Sequence, residues 1–336
     1  MKTQETGSPT RRHFRPLRGA QWVLPSLISC RPSTRGLGLF AYGLAETATW
    51  FAENLGGARL AGVRVLIVGA SGLVGGVLWT ELSRSHDVVG TCHSAGVPQL
   101  VPLDLQDEKA LARLARDGFD VVIHCAGLVE IAAAEAHPDL AWALNVRSVE
   151  VLLDALEGGS GKLVVLSSDN VFDGTRDSYT EDDPPSPINT YGRTKVAAES
   201  SIIAGGRHLA VRIPIVYGRS PWADRFFARF ARPETPAQVD VVCTPLYLPS
   251  LAGGLEQLWD LAGVVHFAGA EVLTRFELMS RLASGLGLPT TVVPVRNDET
   301  PGGSLRPRRL VLRSSRHRLA GPTLDEALAA MGGTPS

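Results

Sequence analysis

Val63-Arg-Val-Leu-Ile-Val68 runs without a break into Gly69-Ala-Ser-Gly-Leu-Val-Gly75. The first six residues are apolar and β-branched almost throughout, as expected of a strand buried on both faces of a parallel sheet. The next seven space three glycines as GxxGxxG, and an apolar-periodic helix is predicted over 73–84. Glycine lets the backbone turn tightly and approach a pyrophosphate, which then rests on the positive end of the following helix. A glycine triplet alone says little. With a strand before it and a helix after it, the triplet predicts a dinucleotide cradle formed by Gly69, Ser71, Gly72, Leu73, Val74 and Gly75.

Outward from this turn, strands are predicted at 88–91, 121–123, 163–166 and 210–216. Helices are predicted at 107–116, 140–156 and 191–203. On the longest helix Leu140, Leu144, Val151 and Leu152 are expected to share one face. Strand and helix in alternation predict an α/β fold, a doubly wound parallel sheet of the Rossmann type. The dinucleotide-binding domain is read as 61–218. From about residue 219 proline and arginine become frequent and the alternation weakens, so 219–336 is read as a smaller mixed lobe that binds substrate over the carboxyl edge of the sheet.

An acid at the end of the second strand would bond the adenosine ribose and favour NAD. This chain has Gly90-Thr-Cys-His-Ser94 there, with no acid. Small polar residues and His93 admit a further phosphate, so NADP(H) is expected, with NAD(H) as the alternative. Asp104 and Leu105 are placed to meet the adenine, and Asp104 also reads as a helix N-cap.

A second constellation is Ser167-Ser168 followed by Tyr191-Gly-Arg-Thr-Lys195. Residues i and i+4 share a helix face, so Tyr191 and Lys195 project together. A free phenol titrates near 10, too high for work at neutral pH. A neighbouring ammonium is expected to lower that value, letting Tyr191 exchange a proton while hydride moves at the adjacent carbon. Ser168, at a strand end beside the cofactor, is placed to bond the same substrate oxygen. Ser168, Tyr191 and Lys195 are therefore the expected catalytic residues.

Three stretches carry a family resemblance: Leu166-Ser-Ser-Asp-Asn-Val-Phe-Asp-Gly-Thr175, Tyr179-Thr-Glu-Asp-Asp-Pro184, and Pro187-Ile-Asn-Thr-Tyr-Gly-Arg-Thr-Lys195. They resemble the dTDP-4-dehydrorhamnose reductase family of extended short-chain dehydrogenase/reductases. They are also similar to the regulatory beta subunit of methionine adenosyltransferase. Val211-Arg-Ile-Pro-Ile-Val-Tyr-Gly218 resembles the next strand in both, and the likeness runs from about Val63 to Met331. The resemblance implies Ser168, Tyr191 and Lys195 as catalytic, with Ser168 where the reductases usually carry threonine. It also implies Lys195, Ala126, Gly127 and Pro214 beside the cofactor, and Asn170, Val171 and Phe172 facing the substrate. The chain departs from the reductase pattern in three places. Asn170 replaces a usual tyrosine, Ala132 a common aspartate upstream of the retained Glu135, and the segment between Arg229 and Thr244 looks shortened.

The activity expected is reduction of a nucleotide-linked 4-keto-6-deoxysugar by NAD(P)H. A dinucleotide-binding subunit without turnover is one alternative. A sugar-nucleotide epimerase or dehydratase is another, although a dehydratase would carry an Asp-Glu pair after Ser168 and only Asp169 is present. Trp222 is a candidate for stacking on a base or sugar, with packing as the other reading. The six arginines from Arg306 to Arg318 read either as a diphosphate clamp or as a solvated basic face. His124, at the end of a core strand, reads as a buried histidine.

With 336 residues, 44% of them hydrophobic, the chain can bury one large core or two modest ones. A net charge of -1 gives no basic field toward nucleic acid or anionic lipid. No apolar run reaches the roughly eighteen residues of a membrane span. Cys30, Cys92, Cys125 and Cys243 show no zinc spacing, and no catalytic metal is expected. Cys92 and Cys125 read as reduced, packed thiols, consistent with a cytoplasmic protein. The expected partner is a nucleotide-sugar small molecule, with a homodimer as the assembly considered. Residues 1–60 are read as an extension that is disordered or processed; export or organellar transit is the alternative, motivated by Arg11-Arg12 and an arginine-rich, acid-poor composition.

Overall fold

Alternate side chains of the first strand, β1 (Arg64–Val68), enter two separate cores. Val65 and Ile67 join one, Leu66 and Val68 the other, and all four are fully buried. Two covered faces explain why the run is continuously apolar rather than alternating. The computed structural model describes residues 62–93, 97–222 and 226–333. The expectations for residues 1–60 lie outside the described residues.

After β1 come α1 (Leu73–Leu82), β2 (Asp87–Cys92), β3 (Val101–Pro102), α2 (Glu108–Ala115) and β4 (Val121–His124). Next are α3 (Ile131–Ala136), α4 (Pro138–Trp142), α5 (Ser148–Leu156), β5 (Lys162–Ser168), α6 (Thr190–Ala204) and β6 (Leu209–Ile213). Then follow β7 (Val216–Tyr217), β8 (Glu234–Gln238), β9 (Val242–Cys243), β10 (Leu246–Tyr247), α7 (Pro249–Leu258) and β11 (Gly263–His266). The last are β12 (Leu273–Thr274), α8 (Arg275–Gly285), β13 (Thr291–Val295), β14 (Arg309–Leu310) and α9 (Leu324–Ala330).

Seven strands form one parallel sheet in the order β11-β6-β5-β4-β1-β2-β3. Helices α1 and α7 cover one face through Val77, Leu78, Leu82, Leu251 and Leu255. Helices α2, α5 and α6 cover the other through Leu111, Val149, Leu152, Ala198 and Ile202. Each valine, leucine or isoleucine among them, fully buried, contributes roughly 1.5–3 kcal/mol. The strand order reverses between β1 and β4, and that switch opens a crevice at the carboxyl ends of the strands. A third core closes the lobe above it. There β8 pairs with β13, and Phe226, Phe227 and Phe230 pack with Leu278 and Leu282 of α8 and Leu324 and Leu328 of α9.

Two expectations change. Residues beyond 218 are not confined to a separate lobe: α7 and β11 return to the sheet, β11 pairing with β6 as its edge strand. The single helix over 140–156 is interrupted by a π turn at Ala143–Arg147, between α4 and α5. The extra residue in that turn rotates the stripe. Leu140 and Leu144 consequently line the crevice, while Val151 and Leu152 enter the core.

Candidate active site

The crevice has a volume of about 1090 Å³ and is walled by the glycine turn, the ends of β4 and β5, the start of α6, and the lobe. At the turn, Gly69 has φ +97°, and a Cβ there would lie 2.7 Å from the Ala126 Cβ. A Cβ on Gly75 would stand 2.2 Å from the Gly69 carbonyl oxygen, so the turn closes only with glycine at that position. The N-cap of α1 is Gly72, which offers no side-chain cap, and the first turn holds no acid. The amides at this helix start therefore face the crevice without competition from a carboxylate, which suits an anionic pyrophosphate. Thr91 fixes the turn from β2. Its Oγ1 accepts from the Gly69 amide at 3.0 Å and its carbonyl from the Ser71 amide at 3.3 Å.

Ser71, Leu73 and Val74 line the crevice with the three glycines, as do His93, Asp104, Leu105, Ala126, Gly127 and Pro214. Asp104 is not the helix cap. Its Oδ1 accepts from the Gln106 amide at 2.9 Å, and Asp107 caps α2 through the Ala110 amide. Asn145, in the π turn, holds the loop after β4. Its Oδ1 accepts from the Leu128 amide at 2.8 Å, and its Nδ2 donates to the Leu128 carbonyl and to Thr194 Oγ1. Nothing in the linear sequence singles out Asn145, because its role depends on the π turn placing it opposite a loop seventeen residues upstream.

Ser168, Tyr191 and Lys195 meet at one place in the crevice wall, each less than a tenth exposed. Asn189 caps α6 through the Gly192 amide at 2.7 Å, which orients the first turn carrying Tyr191. Lys195 Nζ lies 5.8 Å from the Tyr191 ring centroid and donates to the Leu166 carbonyl at 2.9 Å. The expected lowering of the phenol is not found. Burial pushes Tyr191 up to about 12, opposed by a Ser168 hydrogen bond and reinforced by the Asp169 charge. The ammonium is aimed at a carbonyl, not at the phenol oxygen. Burial in turn lowers Lys195 to about 8, against the pull of Glu199. Asp169, buried beside Ser168, is raised by burial to about 6.

The residues expected at the substrate divide. Asn170 lines the crevice, and its Nδ2 donates to Asp169 Oδ1 at 2.9 Å and to Ser168 Oγ at 3.3 Å. Val171 and Phe172 do not face the crevice. Both are fully buried in a small core with Tyr179, Leu310 and Leu312, and Phe172 stacks on Tyr179 at 4.2 Å between ring centroids. A single 3₁₀ turn at Asp169–Val171 carries them inward. Trp222 does not line the crevice either. It packs on Trp79, ring centroids 5.3 Å apart, over Gly76, where a Cβ would meet the indole at 2.7 Å. Arg229 and Arg275 were not anticipated; they line the lobe side together with Arg306. Arg275 and Arg306 make no ion pair among the described residues. Arg308, Arg309 and Arg316 are in half-exposed pairs at the surface, so the arginine run splits between crevice and solvent. His124 is buried, bonds Ser148 Oγ at 2.8 Å, and is lowered by burial to about 3, hence neutral. Among the described residues no group of three or more His, Cys, Asp and Glu could hold a metal, and no helix is long and apolar enough to cross a membrane.

A seven-stranded parallel sheet with a GxxGxxG turn at its switch point, and Ser, Tyr and Lys at the neighbouring strand and helix ends, defines the extended short-chain dehydrogenase/reductase class of Rossmann fold. The chain belongs to the family described as RmlD substrate binding domain, whose profile matches residues 63–327. It is 33% identical to dTDP-4-dehydrorhamnose reductase of Mycolicibacterium smegmatis, over 80% of this chain and 86% of the relative. It is 32% identical to methionine adenosyltransferase 2 subunit beta of Xenopus laevis, over 73% of this chain and 78% of the relative. The crystal structure of dTDP-4-dehydrorhamnose reductase from Bacillus anthracis in complex with NADP superposes with a TM-score of 0.72 at 25% identity, covering 80% of this chain and 98% of that one.

Proposed function

We propose that this protein is an NAD(P)H-dependent reductase of a nucleotide-linked 4-keto-6-deoxysugar. The observation that carries the reading is the meeting of Ser168, Tyr191 and Lys195 in the same crevice as the glycine turn. Gly69, Gly72 and Gly75 with the uncapped start of α1 would hold the pyrophosphate, and the polar strand end with His93 favours NADP(H), with NAD(H) as the alternative. A bound nicotinamide dinucleotide would supply the hydride. Ser168 orients the keto oxygen. Tyr191, held as a neutral phenol by burial, is a proton donor at neutral pH and protonates that oxygen as negative charge develops on it. Ser168, whose hydrogen bond opposes burial at Tyr191, then stabilises the phenolate that remains. Asn170, Arg275 and Arg306 would meet the sugar and its diphosphate, arginine being suited to bidentate phosphate contacts.

The likeness to methionine adenosyltransferase 2 subunit beta supports a second reading, a dinucleotide-binding subunit without turnover. Dinucleotide stoichiometry with a dTDP-4-keto-6-deoxysugar separates the readings. A reductase oxidises one NADPH per sugar reduced. An epimerase or dehydratase converts sugar with no net oxidation, and a regulatory subunit binds the dinucleotide and converts nothing.

A further inference from the structure

Glu199 lies four residues after Lys195 on α6, beneath the crevice wall and only 2% exposed. Its carboxylate accepts from Ser167 Oγ, and from Arg212 Nε at 2.9 Å and Nη2 at 2.7 Å. Arg212, 3% exposed, also reaches His266 Nε2 at 3.3 Å, and its guanidinium stands 5.0 Å from the Phe172 ring. Replacing a buried ion pair with apolar side chains is often neutral or stabilising, so stability alone gives no reason for this one. Its neighbours supply a better reason. Ser167 precedes Ser168 at the end of β5. Arg212 precedes Ile213 and Pro214, which line the crevice at the end of β6. Lys195 is one helical turn away. One carboxylate thus touches or adjoins the three elements that form the reactive wall.

Lys195 also lacks a countercharge in its own surroundings. Its ammonium is buried, and its hydrogen bond is to a neutral carbonyl, Leu166 O. The other titratable groups around it carry no negative charge at neutral pH. Burial holds the Cys125 thiol and the Tyr191 phenol up at about 12, and holds His124 down at about 3. Arg212 is cationic, and the Asp169 charge acts on Tyr191. Glu199 is the carboxylate whose charge acts on Lys195. A buried cation without a partner is costly.

We propose that Glu199 is a positioning residue of this site: through Ser167 and Arg212 it locks the ends of β5 and β6 to α6, and it supplies the countercharge that keeps Lys195 an ammonium. The inference rests on the reductase reading only for what the ammonium is used for, and its test needs no substrate.

The chain has only four lysines, Lys2, Lys109, Lys162 and Lys195, so a full-length protein isotope-labelled at lysine Cε gives few NMR signals, and Lys195→Met assigns the one of interest. Lys195 is titrated in wild type, Glu199→Gln, Glu199→Asp and the double variant Glu199→Gln with Arg212→Gln. The double variant removes both charges and leaves none buried and unpaired, so it is the one expected to melt near wild type if the single Gln variant does not fold. The expected result is a Lys195 midpoint about one unit lower in folded Glu199→Gln, a smaller lowering in the double variant, which also loses the repulsion of Arg212, and a Glu199→Asp midpoint close to wild type. An unchanged midpoint in the folded double variant would overturn the proposal and leave the pair a structural lock only. In a turnover assay the same shift should appear as an alkaline limb moved to lower pH, with kcat falling roughly tenfold and KM little changed.

Discussion

Asn170 and Phe172 are two residues apart and end in different surroundings, one at the crevice and one in a core against Tyr179. Phe172→Ala should therefore act on stability, not on substrate affinity. Loss of a fully buried phenylalanine costs roughly 3–5 kcal/mol. Denaturant unfolding should show that loss, while KM of whatever fraction stays folded is unchanged; a raised KM with unaltered stability would restore Phe172 to the substrate site. The residues legible in the sequence were those whose chemistry depends on local spacing. The glycines need only a strand before and a helix after, and Tyr191 and Lys195 need only one helical turn between them. Sequence alone places Phe172 at the substrate and leaves Trp222 between two readings, because an aromatic side chain serves equally well in a core or at a ligand, and the choice lies in a single 3₁₀ turn or in packing on Trp79. The pKa of Tyr191 was misjudged for a related reason. Sequence shows that Lys195 is near, but not that its ammonium points to Leu166.

At the level of elements the sheet was readable, since strands buried on both faces are continuous apolar runs and their helices are amphipathic. The π turn between α4 and α5 was not. Nothing in Ala143–Arg147 breaks helical periodicity, and the interruption reflects tertiary contacts of Asn145 with Leu128 and Thr194. Asn145→Ala would leave the amide and carbonyl of Leu128 without those partners, and unsatisfied buried groups cost about 1–3 kcal/mol each. The variant should melt lower and bind NADPH more weakly by fluorescence titration, because the loop it releases carries Ala126 and Gly127. Wild-type affinity in that variant would show that the loop needs no such clamp. The return of α7 and β11 to the sheet was also hidden. Gly263–His266 is a short strand with an ordinary pattern, and its partner β6 lies about fifty residues upstream.

Over the whole molecule, three buried histidines set an acid limit to stability. Burial lowers His124 to about 3 and His208 and His266 to about 4, all below the ordinary 6.5. Each stays neutral in the folded chain where the unfolded chain takes up a proton, so the unfolded state binds more protons between the two values. Stability therefore falls as pH drops from about 6.5 toward 4, a loss in addition to that from paired carboxylates. Melting temperatures across that range should decline, and replacing His208 with Gln should flatten the decline; a flat profile in wild type would mean the histidines are solvated. The proposed function turns on a crevice that joins dinucleotide binding to proton donation by Tyr191. Its most direct test compares wild type with Tyr191→Phe for oxidation of NADPH by a dTDP-4-keto-6-deoxysugar, with NADPH affinity measured on both proteins. The expected result is turnover by wild type, a loss of roughly a hundredfold or more in kcat for the variant, and equal NADPH affinity. Turnover undiminished in Tyr191→Phe, or NADPH bound by wild type with no sugar reduced, would contradict it.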